Sequence, residues 1–400
     1  MILLNLNKDQ SDKLVEAAIS GKQVSGHTHT YYRYPARFSP EFTRTVIETF
    51  TDVGDLVLDP FVGGGTSIVE ARSLGRQSLG IDLNNLATFV SKVKTSLLSN
   101  EDINQILMWA DNIPDYLSLN YIPEYDFQND TDFKNINTSN TWPIRNSIML
   151  AIDAIDDIKS PKQKNFLRCA LLKTSQWALE SSKNTPTASK FRLFFHNSII
   201  EMVNSNKDYR STVSKADKLW KSNGNRRTTI LSRATQGIEY DVRVKKLKEP
   251  NLIITSPPYP GVHVLYHRWQ VNGRRETPIA YKIANVLDGS GASYYTFGDR
   301  KQEKLTSFFT NTYKTFKSLA NISSQNTLVA QMIAFSDASW QLPLYLETMG
   351  KAGFQEYKIN QLNTFDDGRI WRDVPNRKWH ATQKGKTESS KEVVLFHKLK

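Results

Sequence analysis

Three consecutive glycines, Gly63-Gly64-Gly65, sit between two short apolar runs and constrain the fold more than any other feature. Leu56-Val57-Leu58 comes before them and reads as a buried strand, followed by Asp59-Pro60-Phe61-Val62. Thr66 and a helix-like stretch over 67–74 come after, and a second strand ends in Gly80-Ile81-Asp82-Leu83-Asn84. Strand, glycine-rich turn, helix, strand, acid is the layout of a nucleotide-type cofactor site in a parallel α/β sheet. The glycines let the backbone bend sharply and approach a ligand. An acid about 20 residues after the glycines is placed to accept hydrogen bonds from ribose hydroxyls.

A dinucleotide site is the first alternative. Its glycines follow G-x-G-x-x-G, and its pyrophosphate needs an open helix N-terminus. Here an acid, Asp59, stands ahead of the glycines. Its carboxylate would repel a pyrophosphate and would suit a cationic cofactor.

A second strand tip carries different chemistry. The run Asn251-Leu252-Ile253-Ile254 stops at Thr255-Ser256-Pro257-Pro258-Tyr259. Two consecutive prolines can neither continue a ladder nor enter a helix interior. A polar side chain, a stiff turn and an aromatic ring are therefore held together at a strand end. Such a tip suits a planar base with an exocyclic amine, because Ser256 and the Pro257 carbonyl can accept from the amine and Tyr259 can stack.

Together the two motifs resemble the DNA amino-methyltransferases, which use S-adenosylmethionine and carry D-P-F-x-G-x-G-T and Ser/Asp/Asn-Pro-Pro-Tyr/Phe motifs. The resemblance covers roughly 29–84 and 228–300. It implies an α/β, Rossmann-like methyltransferase fold with a mostly parallel seven-stranded sheet and a large helical insertion. It also implies S-adenosylmethionine contacts at Asp59, Pro60, Phe61, Gly63, Gly65, Thr66, Asp82 and Asn84. The segment Tyr34-Pro35-Ala36-Arg37-Phe38-Ser39-Pro40-Glu41 is similar to one that closes over the methionine end of the cofactor in this family, which adds Tyr34, Ala36, Arg37 and Phe38. By the same resemblance Ser256, Pro257, Pro258 and Tyr259 are the catalytic group. Packing of an aromatic-rich surface loop is the plainer reading of 29–41.

Composition agrees with a polyanion partner. Lys and Arg exceed Asp and Glu by 52 to 40, a net charge of +12. Affinity for nucleic acid should then fall as salt rises. One cysteine, Cys169, rules out a disulfide framework and a Cys-rich zinc site, and no metal is expected. Cys169 lies among Leu167, Ala170 and Leu171 on an apolar helix, which speaks against the carbon-5 methylation that needs a cysteine nucleophile. Asn5, Lys8 and Asp12 interrupt the N-terminus too early for a signal peptide, and no stretch approaches the ~18 apolar residues of a membrane helix. A soluble, cytoplasmic protein is expected.

The organisation predicted is a cofactor half over 1–100, a helical insertion over 101–225 and a catalytic half over 226–400. A helix is expected over 8–20. Within the insertion, helices are expected over 148–158, 161–179 with Ser160 as cap, 194–203 and 209–220, and 111–145 reads as long loop. A connection of this length between the second and third strands is far beyond an ordinary α/β loop. Target recognition, dimerisation and a structural role all remain open for it. Strands are expected over 228–231, 251–255 and 327–332, a helix over 306–319, and an antiparallel pair over 354–362 and 393–396.

Basic and aromatic residues follow the Pro-Pro tip, and they suit phosphates and unstacked bases. The DNA-facing candidates are His267, Arg268, Trp269, Arg274, Arg275 and Arg300, with Trp371, Arg372, Arg377 and Lys378 in a later loop. A lid packed on the core is the alternative. Duplex DNA is the expected partner, with a cognate restriction enzyme as a further one that the resemblance allows. By the same resemblance, Ser in the first motif position implies cytosine N4 as target. Adenine N6, an RNA substrate and a non-catalytic DNA-binding relative are the competing readings.

Overall fold

The computed structural model describes residues 2–34, 38–120, 130–180, 185–220, 228–260, 269–271, 275–289, 295–298, 304–362, 367–373 and 391–400. Its elements in chain order are β1 (Ile2–Leu4), α1 (Lys8–Ile19), α2 (Pro40–Phe50), β2 (Leu56–Asp59), α3 (Thr66–Ser73), β3 (Gln77–Asp82), α4 (Asn85–Thr95), α5 (Asn100–Asp111), α6 (Ile113–Tyr116), α7 (Trp142–Asp156), α8 (Pro161–Leu179), α9 (Ala188–Leu219), β4 (Thr228–Ser232), β5 (Leu252–Thr255), β6 (Trp269–Val271), β7 (Arg275–Thr277), α10 (Ile279–Ala284), α11 (Thr306–Ala320), β8 (Leu328–Ala334), α12 (Ala338–Ala352), β9 (Phe354–Ile359), β10 (Ile370–Asp373) and β11 (Lys391–Leu399).

The main sheet runs β1-β9-β11-β8-β5-β2-β3-β4, and β10 pairs with β11. β4, β3, β2, β5 and β8 are mutually parallel, and β11 is antiparallel to its neighbours. This is the expected Rossmann-like sheet, enlarged among the described residues from seven strands to nine by β1 on β9 and β10 on β11. β9 and β10 lie one after the other along the same edge of β11: Leu399 pairs with Phe354, and Val394 with Ile370.

Alternation along the central strands divides two cores. Leu56, Leu58, Ile253 and Val329 face α11 and α12, while Val57, Leu252 and Ile254 face α1, α2 and Ala71 of α3. The strands are covered on both faces, as near-continuous apolar runs require. Strand order reverses between β2 and β5, and ligands of open α/β sheets bind outside the carboxyl ends at such a switch point. The glycine turn follows β2 and the Pro-Pro tip follows β5, so both motifs meet there.

Helices α5 to α9 lie between β3 and β4 and share a core with α4, α10 and β6. α8 starts at its Ser160 cap as expected. The two helices expected over 194–220 are one, α9, running without a break through Asn204-Ser205-Asn206-Lys207-Asp208. The polar run reads as a breaker, yet Asn206 is fully buried. It accepts from the Leu98 amide (3.0 Å) and donates to the Ser96 carbonyl (2.9 Å), securing the turn between α4 and α5. Farther along, Asp217 of α9 pairs with Arg72 of α3 at 2.5 and 2.7 Å. Tyr209 and Val213 pack on Val69. Among the described residues, no helix is long and apolar enough to cross a membrane.

Candidate active site

The last residue of β2 and the last of β5 are joined by a side-chain bond. Their ladder pairs Val57 with Leu252 and Leu58 with Ile253. Beyond it, Thr255 donates its hydroxyl to Asp59 Oδ1 at 2.9 Å. Ser67 of α3 donates to Asp59 Oδ2, and the Phe61 amide donates to Oδ1. Burial pushes the Asp59 carboxyl up to about 6 against the pull of these donors. Asp59 is 2% exposed and does not line the cavity that opens above it, so the expected contact with a cationic ligand is corrected to a latch beneath the site.

The glycine turn is pinned from three sides. The Gly63 amide donates to Asp82 Oδ2 (2.9 Å), Ser91 donates to the Gly63 carbonyl (3.1 Å), and buried Lys94 donates to the Gly64 carbonyl (2.7 Å). Gly63 and Gly65 have φ of +48° and +80°, the left-handed region that glycine adopts without steric penalty. A Cβ on Gly65 would lie 2.7 Å from Ser91 Oγ. Gly65 and Thr66 therefore shape the turn from inside and do not line the cavity.

The cavity has about 900 Å³ of space including its open mouth. Tyr34, Pro60, Phe61, Gly63, Asp82, Leu83 and Asn84 form one wall. Arg233, Ala234, Thr235 and Gln236 after β4 form a second, and Ser256, Pro257 and Pro258 a third. Tyr295, Thr296, Phe297 and Thr315 complete it, with Phe297 edge-on to Phe61 at 5.3 Å between centroids. Asp82 accepts the Gly63 and Asn84 amides, and burial raises its carboxyl to about 6. Asn84 caps α4, donates to Tyr34 Oη (3.3 Å) and accepts from Tyr281 (3.1 Å).

This donor set fits S-adenosylmethionine. Asp82 has lone pairs left for a ribose diol, since a carboxylate has about four acceptor sites. The aromatic and apolar walls suit a purine. Arg233, the one cation in the described lining, is engaged by Asp241 at 3.0 Å and offers little to a pyrophosphate.

The remaining expected residues are spread more widely. Phe38 is buried and stacks on Phe42 away from the cavity. Tyr259 is 7% exposed and packs in the core beneath the tip, so the expected stacking face is not presented to the cavity. Its hydroxyl lies 3.0 Å from Ser256 Oγ and donates to Glu392 Oε1 at 2.8 Å. Trp269 is corrected from a DNA-facing residue to a core one: it is 2% exposed and its indole donates to Tyr32 Oη at 2.8 Å. Arg372 is held by Glu392, and Trp371 donates to Asp367. Arg275 is exposed on β7. Ala36, Arg37, His267, Arg268, Arg274, Arg300, Arg377 and Lys378 lie outside the described residues. The 233–236 wall had a visible signal, a polar Ser232-Arg233-Ala234-Thr235 run after a strand in a parallel sheet. The pairing of Glu392 with the tip had none.

Residues 7–89 match the family model described as DNA methylase (N6/N4). The chain is similar to the type II methyltransferase M.MvaI of Kocuria varians, 24% identical over 277 residues, 63% of this chain and 60% of that protein. It is similar to M.MjaII of Methanocaldococcus jannaschii, 29% identical over 90 residues, 22% of this chain and 17% of that protein. With M.BsoBI of Geobacillus stearothermophilus it shares 45% identity over 56 residues, 14% of this chain and 11% of that protein. The matches thus span 60% or less of these relatives' own length. Among solved structures, the rRNA methyltransferase aviRa from Streptomyces viridochromogenes aligns with a TM-score of 0.34 at 9% identity over 92% of this chain and 89% of that one, a likeness too remote to bear on fold or substrate. With Gly63, the acid after β3 and Ser256-Pro257-Pro258 on one cavity, the chain is similar over these stretches to the S-adenosylmethionine-dependent DNA N4/N6 methyltransferases.

Proposed function

We propose that this chain methylates the exocyclic N4 amine of a cytosine flipped out of a specific sequence in duplex DNA. One observation carries the reading: Asp82 and Ser256-Pro257-Pro258, from opposite halves of the sheet, line a single cavity. A cofactor anchored by the first would meet a base gripped by the second. When bound, S-adenosylmethionine supplies an electrophilic sulfonium methyl. The chain supplies placement. The amine's lone pair is delocalised into the base, and Ser256 Oγ with the Pro257 carbonyl accept its hydrogens and draw the nitrogen toward tetrahedral geometry. Holding the nitrogen in line with the methyl turns a bimolecular encounter into a positioned one. A base stacked inside a duplex cannot reach such a site, so the base is extruded first.

Cytosine is preferred over adenine because a Ser hydroxyl is a weaker acceptor than the Asp that accompanies adenine in the resembled family. The exposed Arg275 and the basic residues of 261–268 and 299–303 are the proposed DNA contacts, and a cytoplasmic setting follows from the proposed substrate. Labelled-methyl transfer to duplex DNA and to tRNA, followed by mass spectrometry of the nucleosides, tests the reading. Expected is 4-methyldeoxycytidine. A 6-methyldeoxyadenosine peak alone would move the target to adenine, and label on tRNA alone would remove DNA.

A further inference from the structure

We infer that Glu392 and Arg372, on the C-terminal strands, are positioning residues that fix Ser256 as a hydrogen-bond acceptor toward the cavity. This deepens the methyl-transfer reading and rests on it. The observation is a chain of hydrogen bonds, buried at its Tyr259–Glu392 link, whose direction follows from the donors at its far end. Arg372 donates through Nε (2.7 Å) and Nη2 (2.5 Å) to Glu392 Oε2, and through Nη1 to the Ala18 carbonyl (3.2 Å). Glu392 is 4% exposed, and beside the guanidinium it is a carboxylate that can only accept. Its Oε1 takes the Tyr259 hydroxyl hydrogen at 2.8 Å. A phenol has one hydrogen, so in the 3.0 Å contact between Ser256 Oγ and Tyr259 Oη the serine is the donor.

The serine hydrogen thus points away from the cavity that Ser256 lines, and its lone pairs are left for the incoming amine. A freely rotating hydroxyl would present its hydrogen to the amine in part of the population, and that orientation opposes the required geometry. The chain spans residues 256 and 392, and Arg372 ties it to α1 through Ala18. A purely structural anchor would also place Tyr259 here, but it would not require Ser256 to be oriented.

Two substitutions test the direction in the full chain. Tyr259→Phe removes the acceptor for Ser256. Glu392→Gln keeps the shape and introduces an amide that can donate to Tyr259 Oη, turning the tyrosine hydrogen toward Ser256 and the serine hydrogen toward the cavity. Each should lower the single-turnover methyl-transfer rate roughly 10–100-fold, on the scale of a misplaced transition-state hydrogen bond. Cofactor and DNA dissociation constants should stay within about twofold of the parent, because neither ligand's binding groups are touched. In a Ser256→Ala background neither change should slow the residual rate further. A folded variant with a parental rate overturns the inference, as does an undiminished loss in the Ser256→Ala background.

A second readout needs no turnover. In denaturant unfolding, Tyr259→Phe and Glu392→Gln should shift the midpoint non-additively, because the first removes the bond that the second reverses. Additive shifts overturn the chain of bonds. If the parent methylates neither DNA nor RNA, the methyl-transfer reading fails, and the unfolding cycle still judges the hydrogen bonds.

Discussion

Asp82 joins a proposed binding role to a raised carboxyl. It already accepts two backbone amides and carries the lone pairs proposed for the ribose. Asp82→Ala should weaken cofactor binding roughly 10–100-fold, from about 1.5–3 kcal/mol per hydrogen bond to a charged acceptor. Calorimetry on the folded variant checks this, and DNA affinity should be nearly unchanged. The pH dependence has a definite sign. Burial lifts the folded carboxyl from the ordinary 3.8 to about 6, so it takes up a proton as pH falls through 6. The unfolded chain takes it up only near 3.8, so stability from this group grows as pH falls from about 6, is fully present below 3.8 and is lost as pH rises through 6. Cofactor affinity runs the other way, because the ionised form is the better acceptor. A titration of cofactor dissociation constant should rise below about pH 6, and this rise should be lost in Asp82→Asn. That Asp82, Gly63 and Ser256 would sit at strand ends was legible from spacing. The positions of Asp59, Tyr259 and Trp269 were not, because their burial depends on partners far away in sequence: Thr255 for the first, Glu392 for the second, Tyr32 for the third.

At the scale of elements, apolar periodicity found α8, α11 and the central strands because those segments bury a regular face. It missed α12, whose internal Pro343 reads as a stop but sits within a helix capped by Asp337. It split α9 at a polar run. Asn206 in that run bonds two backbone groups of the α4–α5 turn with its side chain and continues the helix with its main chain. Asn206→Ala would bury the Leu98 amide and Ser96 carbonyl without partners, at about 1–3 kcal/mol for each group left unsatisfied. Thermal unfolding should show a midpoint lowered by several degrees, with the fold otherwise retained. An unchanged midpoint would mean that water replaces the amide.

The whole molecule carries +12, and its proposed partner carries one charge per phosphate. DNA affinity should therefore fall linearly on a log–log scale with salt, with a slope near −0.9 per phosphate contacted. Arg275→Ala should make that slope shallower by about one if the exposed arginine meets a phosphate. Filter binding or fluorescence anisotropy across a salt series measures both. Net charge gives this expectation at once, whereas the integration of the insertion with the cofactor half did not show in the sequence. Arg72–Asp217 and the packing of Tyr209 on Val69 join stretches that no local pattern links.

The latch between Asp59 and Thr255 also sets an order of events during folding. Its two residues are separated by 196 positions, with the whole insertion between them. Until β5 docks, β2 has an open edge and Asp59 has lost neither its water nor its alternatives. Bringing distant strands together must precede any reward from their contact, which makes such steps slow. A nascent chain that has produced only the glycine turn therefore holds a cofactor motif without a cofactor site. In pulse-labelled hydrogen exchange during refolding, the amides of Leu58 and Ile253 should gain protection together in a late phase. Early protection of Leu58 with Ile253 still exchanging would show that the first half closes its own sheet.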